Sequence, residues 1–138
     1  MDLGEAMIVA GIGCRKGAPQ EDILAAIAHA LEAAMLTPDR LDLIATAAEK
    51  GGEDGIAAAA AAFGCPLVLV PSGELRIAGE KAVTRSERVV ALFAVPSVAE
   101  AAALAAAGDG ARLIAPRRVA GMATCAIAAS GEDAGDAS

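Results

Sequence analysis

Residues 11–17 read Gly-Ile-Gly-Cys-Arg-Lys-Gly, three glycines enclosing a thiol and two adjacent cations. Glycines let backbone N–H groups approach an anion, and an arginine adds a planar fork that matches a carboxylate. Gly11, Gly13, Cys14, Arg15, Lys16 and Gly17 are therefore candidates for an anion cradle. The plainer alternative is a tight turn carrying a solvated Arg15 and Lys16, and composition alone favours it. The GxGxxxG spacing differs from the GxGxxG dinucleotide fingerprint, and no acid ends the second apolar run where a ribose would be gripped. Nicotinamide and flavin binding are thus not expected, and no cofactor is assigned.

Other groups that could do chemistry are few. Lys50 lies in a second glycine-rich loop, Glu49 to Gly55, and can face the same crevice as Arg15. Glu53 in that loop also suits the start of the following helix, where an acid is favoured by the helix dipole. Ser97 and Glu100 have capping-box spacing, which is an ordinary structural role. His29 is the sole histidine and sits mid-helix, far from the glycine loops, so a Ser/His/acid triad is not expected. One histidine also excludes a His-rich metal site, and no metal is assigned, although a labile cobalt or zinc contact through Cys14 stays open. Cys14, Cys65 and Cys125 are odd in number and widely spaced, a poor framework for disulfides or zinc. They read as small buried hydrophobes in a reducing compartment.

Composition narrows the partners. The chain has 138 residues, 56% of them hydrophobic but only 1% aromatic, and a formal charge of −7. A surface acidic as a whole repels phosphate backbones, and bases have no aromatic platforms to stack on. Nucleic acid is not an expected partner. No run of about 18 strongly apolar residues suggests a membrane span. The first residues, Met-Asp-Leu-Gly-Glu, carry acids rather than a basic leader, so a cytoplasmic location is expected.

The elements that must position these residues alternate. Ala6 to Gly13 is an apolar, Ile/Val-bearing strand, and Pro19 opens a helix over 19–35 in which Ile23, Leu24, Ile27, Leu31 and Met35 recur at helical spacing. Leu41 to Thr46 is a second strand, followed by an Ala-rich helix ending at Phe63 with Gly64 as a left-handed cap. Pro66 to Val70 is a third strand, apolar throughout as in a parallel sheet buried on both faces. Residues 71–83 carry no clear signal, and 86–93 fit either helix or strand. A helix then runs from Ser97 to Gly108, and Leu113–Pro116 and Met122–Ala128 are two closing strands around a loop at Arg117–Gly121. The fold class expected is α/β: a single three-layer domain over 6–129, with a mainly parallel sheet flanked by helices and a C-terminal β-hairpin. Residues 130–138 form an acidic tail expected to be disordered. In such sheets ligands bind beyond the carboxyl ends of the strands, where the glycine loops lie.

Several motifs resemble a known family. Gly11–Gly17, Ala45-Thr46 followed by Lys50, Glu53 and Gly55, the run Val95-Pro96-Ser97-Val98-Ala99-Glu100-Ala101-Ala102-Ala103-Leu104, Leu113–Arg117 and Ala126–Ala128 stand in the order found in CobE proteins and the C-terminal domain of CbiG. The resemblance covers about residues 7–128. It implies a role in corrin ring construction and carries Gly11, Gly13, Cys14, Arg15, Gly17, Thr46, Lys50, Ser97 and Glu100 over as binding residues. CbiG proteins open the δ-lactone of cobalt-precorrin-5A and release a two-carbon fragment, but this sequence shows no counterpart of their N-terminal region. The first expectation is therefore an accessory protein that binds a precorrin or corrinoid intermediate and hands it to another pathway enzyme. The alternatives are a lactone hydrolase, with Glu100 or Glu53 as base and Lys50 or Arg15 at the oxyanion, or a structural subunit of a pathway enzyme. Precorrins are edged with acetate and propionate groups, which a cluster of Arg15, Lys16, Lys50 and Arg117 or Arg118 would match.

Overall fold

The computed structural model describes residues 7–85, 97–108 and 110–130. Five strands form one sheet: β1 (Ile8–Cys14), β2 (Leu43–Ala47), β3 (Leu67–Val70), β4 (Arg112–Ala120) and β5 (Ala123–Ala129), in the order β3-β2-β1-β5-β4. β1, β2 and β3 run parallel, while β5 is antiparallel to β1 and pairs with β4 as a hairpin. The protein is thus a single α/β domain with a mixed sheet, parallel on one side of β1 and antiparallel on the other. β1 occupies the centre and is buried from Ile8 to Gly13, which explains why its sequence lacks alternation.

Helices cover both faces. On one, α1 (Gln20–Ala33) and α2 (Asp54–Phe63) are the crossovers between parallel strands. α1 buries Ile23, Ala26, Ile27, Ala30 and Leu31 against Ile8, Ile12 and Ile127 of the sheet, following the expected stripe except at Met35, which lies past the end of the helix and is exposed. It ends in a Schellman turn: Met35 takes φ 62, and the Leu36 N–H reaches the Leu31 carbonyl at 2.9 Å. Gly64 caps α2 in the same left-handed region, φ 70, as its sequence position suggests. On the other face, α3 (Ser72–Arg85) and α4 (Val98–Ala107) pack together, and α4 lies across β1, β2 and β5.

Three boundaries differ from the sequence reading. Most of the segment 71–83, which carried no clear signal, lies in α3, Ser72–Arg85, a helix of low overall hydrophobicity that tertiary packing supports. Arg117 to Ala120, read as loop, continue β4, leaving only Gly121 and Met122 as the turn. Pro116 and two arginines look turn-like, but β4 is an edge strand with register shifts, where a missing N–H and charged side chains are tolerated. Ser130, read as the first residue of the tail, is tied to Met7: its N–H donates to the Met7 carbonyl and its Oγ accepts from the Met7 N–H. The segment 86–93 and the tail from 131 lie outside the described residues.

Candidate functional site

The carboxyl ends of β1 and β2, the first turn of α4 and the β4–β5 turn meet at one edge of the sheet. β1 extends to Cys14, so Gly11 and Gly13 are buried strand residues and only Arg15 to Gly17 form the loop. The two glycines have a packing reason. A Cβ on Gly11 would meet the Ala99 carbonyl oxygen and lie 2.5 Å from the Ala103 nitrogen, and one on Gly13 would lie 2.8 Å from Thr124 Oγ1. Their missing side chains let α4 settle directly on the backbone of β1. Gly17, by contrast, sits in the open loop at φ 79.

Three acids join the segments of this edge, each accepting a hydrogen bond from a backbone N–H. Glu53 Oε1 takes the Gly17 N–H at 2.9 Å, linking the β1 and β2 loops. Asp22 Oδ2 takes the Met122 N–H at 2.9 Å, linking α1 to the hairpin turn. Glu100 Oε2 takes the Arg117 N–H at 3.1 Å, linking α4 to β4. Ser97 Oγ accepts from the Glu100 N–H at 3.1 Å, as a helix cap should. The Arg15 N–H completes the ring by donating to the Met122 carbonyl at 3.0 Å. The Gly17 amide that an anion cradle would use is therefore already bonded to the protein's own carboxylate. What remains for an incoming anion is the side chains. Arg15, Lys16, Arg117 and Arg118 are exposed, and none is held in an ion pair with another described residue.

Cys14, Lys50 and Glu53 interact on the α1/α2 side of the edge. Burial pushes the Cys14 thiol above its ordinary value; the Lys50 ammonium draws it back down and the Glu53 carboxylate adds to the rise. A protonated thiol is a poor nucleophile and a poor soft-metal ligand. Cys125 is fully buried and burial raises it strongly, whereas Cys14 and Cys65 are only half-buried, so the reading of all three as core hydrophobes holds for one. All three are free thiols, and no group of three His, Cys, Asp or Glu side chains gathers to hold a metal ion among the described residues. No described helix is long and apolar enough to cross a membrane. An open depression between α1 and α2, lined by Leu24, Pro38, Asp39, Ala62 and Phe63, shares no residue with this edge.

A family profile described as Cobalamin synthesis G C-terminus matches residues 8–128, from the first residue of β1 nearly to the last of β5. The chain belongs to that family. Protein CobE from Sinorhizobium is 35% identical over 123 residues, spanning 89% of this chain and 80% of the relative. The crystal structure of cobalamin biosynthesis protein chiG from Agrobacterium tumefaciens is 46% identical, with a TM-score of 0.72, over 88% of this chain and 97% of that one. The structure of CobE, a protein of the cobalamin pathway, is 29% identical with a TM-score of 0.74, over 91% of each chain. The chain is therefore a member of a cobalamin biosynthesis family, as its motifs suggested.

The family motifs acquire distinct physical roles in this fold. Thr46 is fully buried, and its Oγ1 donates to the Ile12 carbonyl at 2.8 Å, so it fastens β2 to β1. Gly55 admits the Ala18 carbonyl, bringing α2 against the start of α1. Arg15, Lys16, Lys50 and Arg117 reach the edge from different segments, while Glu100 and Lys50 are carried on α4 and the β2 loop with no hydrogen bond or ion pair between them. Sequence reasoning singled out none of Asp22, Val98, Val119 and Thr124 as residues of this edge. Asp22 and Met122 are 100 positions apart, and no local spacing rule links them.

Proposed function

We propose that the protein binds a precorrin or corrinoid intermediate at the carboxyl edge of the sheet and passes it to another enzyme of the pathway. The supporting observation is that Arg15 and Lys16 follow the carboxyl end of β1 and Arg117 and Arg118 lie on the adjoining hairpin, all four exposed, in a chain with a formal charge of −7. An arginine fork pairs with carboxylates through two parallel hydrogen bonds, and the acetate and propionate edge of a precorrin offers several. Screening confines surface fields to about 8–10 Å, so the acidic remainder of the surface does not cancel this patch. The lactone-opening alternative gains no support from the geometry, because Glu53 and Glu100 each hold a backbone N–H of a neighbouring segment.

Titration with hydrogenobyrinic acid, followed by its visible absorbance, tests the proposal. Arg15→Ala should weaken binding by about 1.5–3 kcal/mol, the range for hydrogen bonds to charged groups. Arg15→Lys should restore part of that affinity, since the charge returns without the fork. Equal affinity for wild type and Arg15→Ala removes Arg15 from the site. A protein that stays colourless after co-expression with each stage of the corrin pathway defeats the binding role itself.

A further inference from the structure

We infer that the protein recognises the apolar face of the macrocycle as well as its carboxylate edge, on a ledge formed by Val98, Thr124 and Val119. The inference rests on the binding role proposed above and assigns its specificity to residues outside the glycine loop. Val98 and Val119 are 44% and 60% exposed. Both lie on the α4 side of the carboxyl edge. The side-chain direction of Gly13 points at Val98 Cβ, 3.8 Å from where its own Cβ would be, and at Thr124 Oγ1. Thr124 donates to the Gly13 carbonyl at 3.2 Å, which fixes its hydroxyl, and the residue is partly exposed. Val119 is the cross-strand partner of Thr124, so it stands on the same face, with its Cβ about 5 Å from that of Thr124.

The row therefore crosses from the first turn of α4 over β1 and β5 to β4. Two interstrand steps make it about 10 Å wide, a width comparable to that of a tetrapyrrole ring. Two cations come from segments that border it: Glu100 draws the Arg117 backbone to α4, and the Arg15 backbone is bonded to Met122 in the β4–β5 turn. An apolar shelf bordered by exposed cations on an acidic protein complements a ligand that is flat, apolar on its faces and polyanionic at its edge. A simple phosphate or a small carboxylate would use the cations and leave the valines idle.

The test titrates wild type, Val98→Ser, Val119→Ser, the double variant and Arg15→Ala with hydrogenobyrinic acid, and repeats each with tricarballylate, a ringless tricarboxylate, as competitor. Both valines are surface residues, so melting temperatures should stay near wild type. Each serine substitution should lower affinity for the corrin about 5-fold, from the apolar area it removes, and the double variant about 25-fold. Competition by tricarballylate should be equally effective on wild type and on the valine variants, and weaker on Arg15→Ala. Valine variants that bind the corrin as wild type does overturn the ledge; if Arg15→Ala is then impaired, the carboxylate-binding role stands alone. Wild type that binds no corrin overturns both. Concentration-dependent dimerisation that the valine variants abolish would instead make the ledge a contact between two copies, and would also overturn the inference.

Discussion

The two faces of the sheet are packed by opposite means. The α1/α2 face is filled with large side chains, among them Ile8, Ile12, Ile23, Ile27 and Ile56, which hold the helices away from the backbone of the sheet. The α4 face is filled mainly with small residues, Ala45, Ala102, Ala103, Ala107 and Ala128 beside Val9 and Val70, and at Gly11 with nothing at all. On the first face stability resides in interlocking side chains that can adjust a rotamer. On the second it resides in backbone resting on backbone, which cannot. The difference bears on the site, because α4 carries Ser97, Val98 and Glu100 to the carboxyl edge. Its close seat fixes where they stand.

A one-carbon change on each face measures that contrast. Gly11→Ala should cost about 3 kcal/mol in urea unfolding, at the upper end for overpacking, since the new methyl meets the Ala99 carbonyl rather than a flexible side chain. A loss under about 1 kcal/mol would show that α4 is free to lift, and the contrast would fail. Ile27→Val, which removes one carbon from the opposite face, should cost about 1 kcal/mol and leave binding at the carboxyl edge unchanged.

At the far end of α1, Met35→Gly should stabilise the protein by about 0.5 kcal/mol. Met35 is 90% exposed and at φ 62, so glycine relieves strain without losing a contact, offset by its greater freedom in the unfolded chain. A lower melting temperature for this variant would show that the exposed methionine has a partner. The smallest effect should appear in the alkylation of Cys14 in a Cys65→Ser background. Its rate should rise with pH about a midpoint above that of a free thiol, because burial disfavours the thiolate. Lys50→Ala should move the midpoint higher by removing the cation that favours the thiolate, and Glu53→Gln should move it lower by removing an anion. Shifts in the reverse directions would contradict the placement of the three groups at one edge.

Much of the fold was legible because its signals are local. The stripe of α1, the left-handed cap at Gly64, the existence of β3 and the serine cap at Ser97 each follow from residues within one turn or one strand. But β3, read as buried on both faces, is an edge strand with Leu69 45% exposed, because a strand's place in the sheet is set by topology. α3 was not legible, because its residues lack an apolar stripe of their own and gain support from α4. The end of β4 was misread because its turn-like residues are tolerated only at a sheet edge, and edge position is a property of strand order.

The candidate site divides in the same way. By itself the sequence determined which residues could meet an anion, the motifs that mark the family and the α/β alternation that brings glycine loops to one edge. Those depend on residue type and short spacing. Only the tertiary structure decided what the glycines and acids do there. Gly11 and Gly13 admit a helix from about 90 positions later, and Asp22, Glu53 and Glu100 bond to backbone groups of other segments. The ledge is the clearest case. Val98 and Val119 look like ordinary apolar residues of a helix and a strand, and only the seating of α4 on β1 together with the pairing of β4 with β5 leaves both exposed on one face.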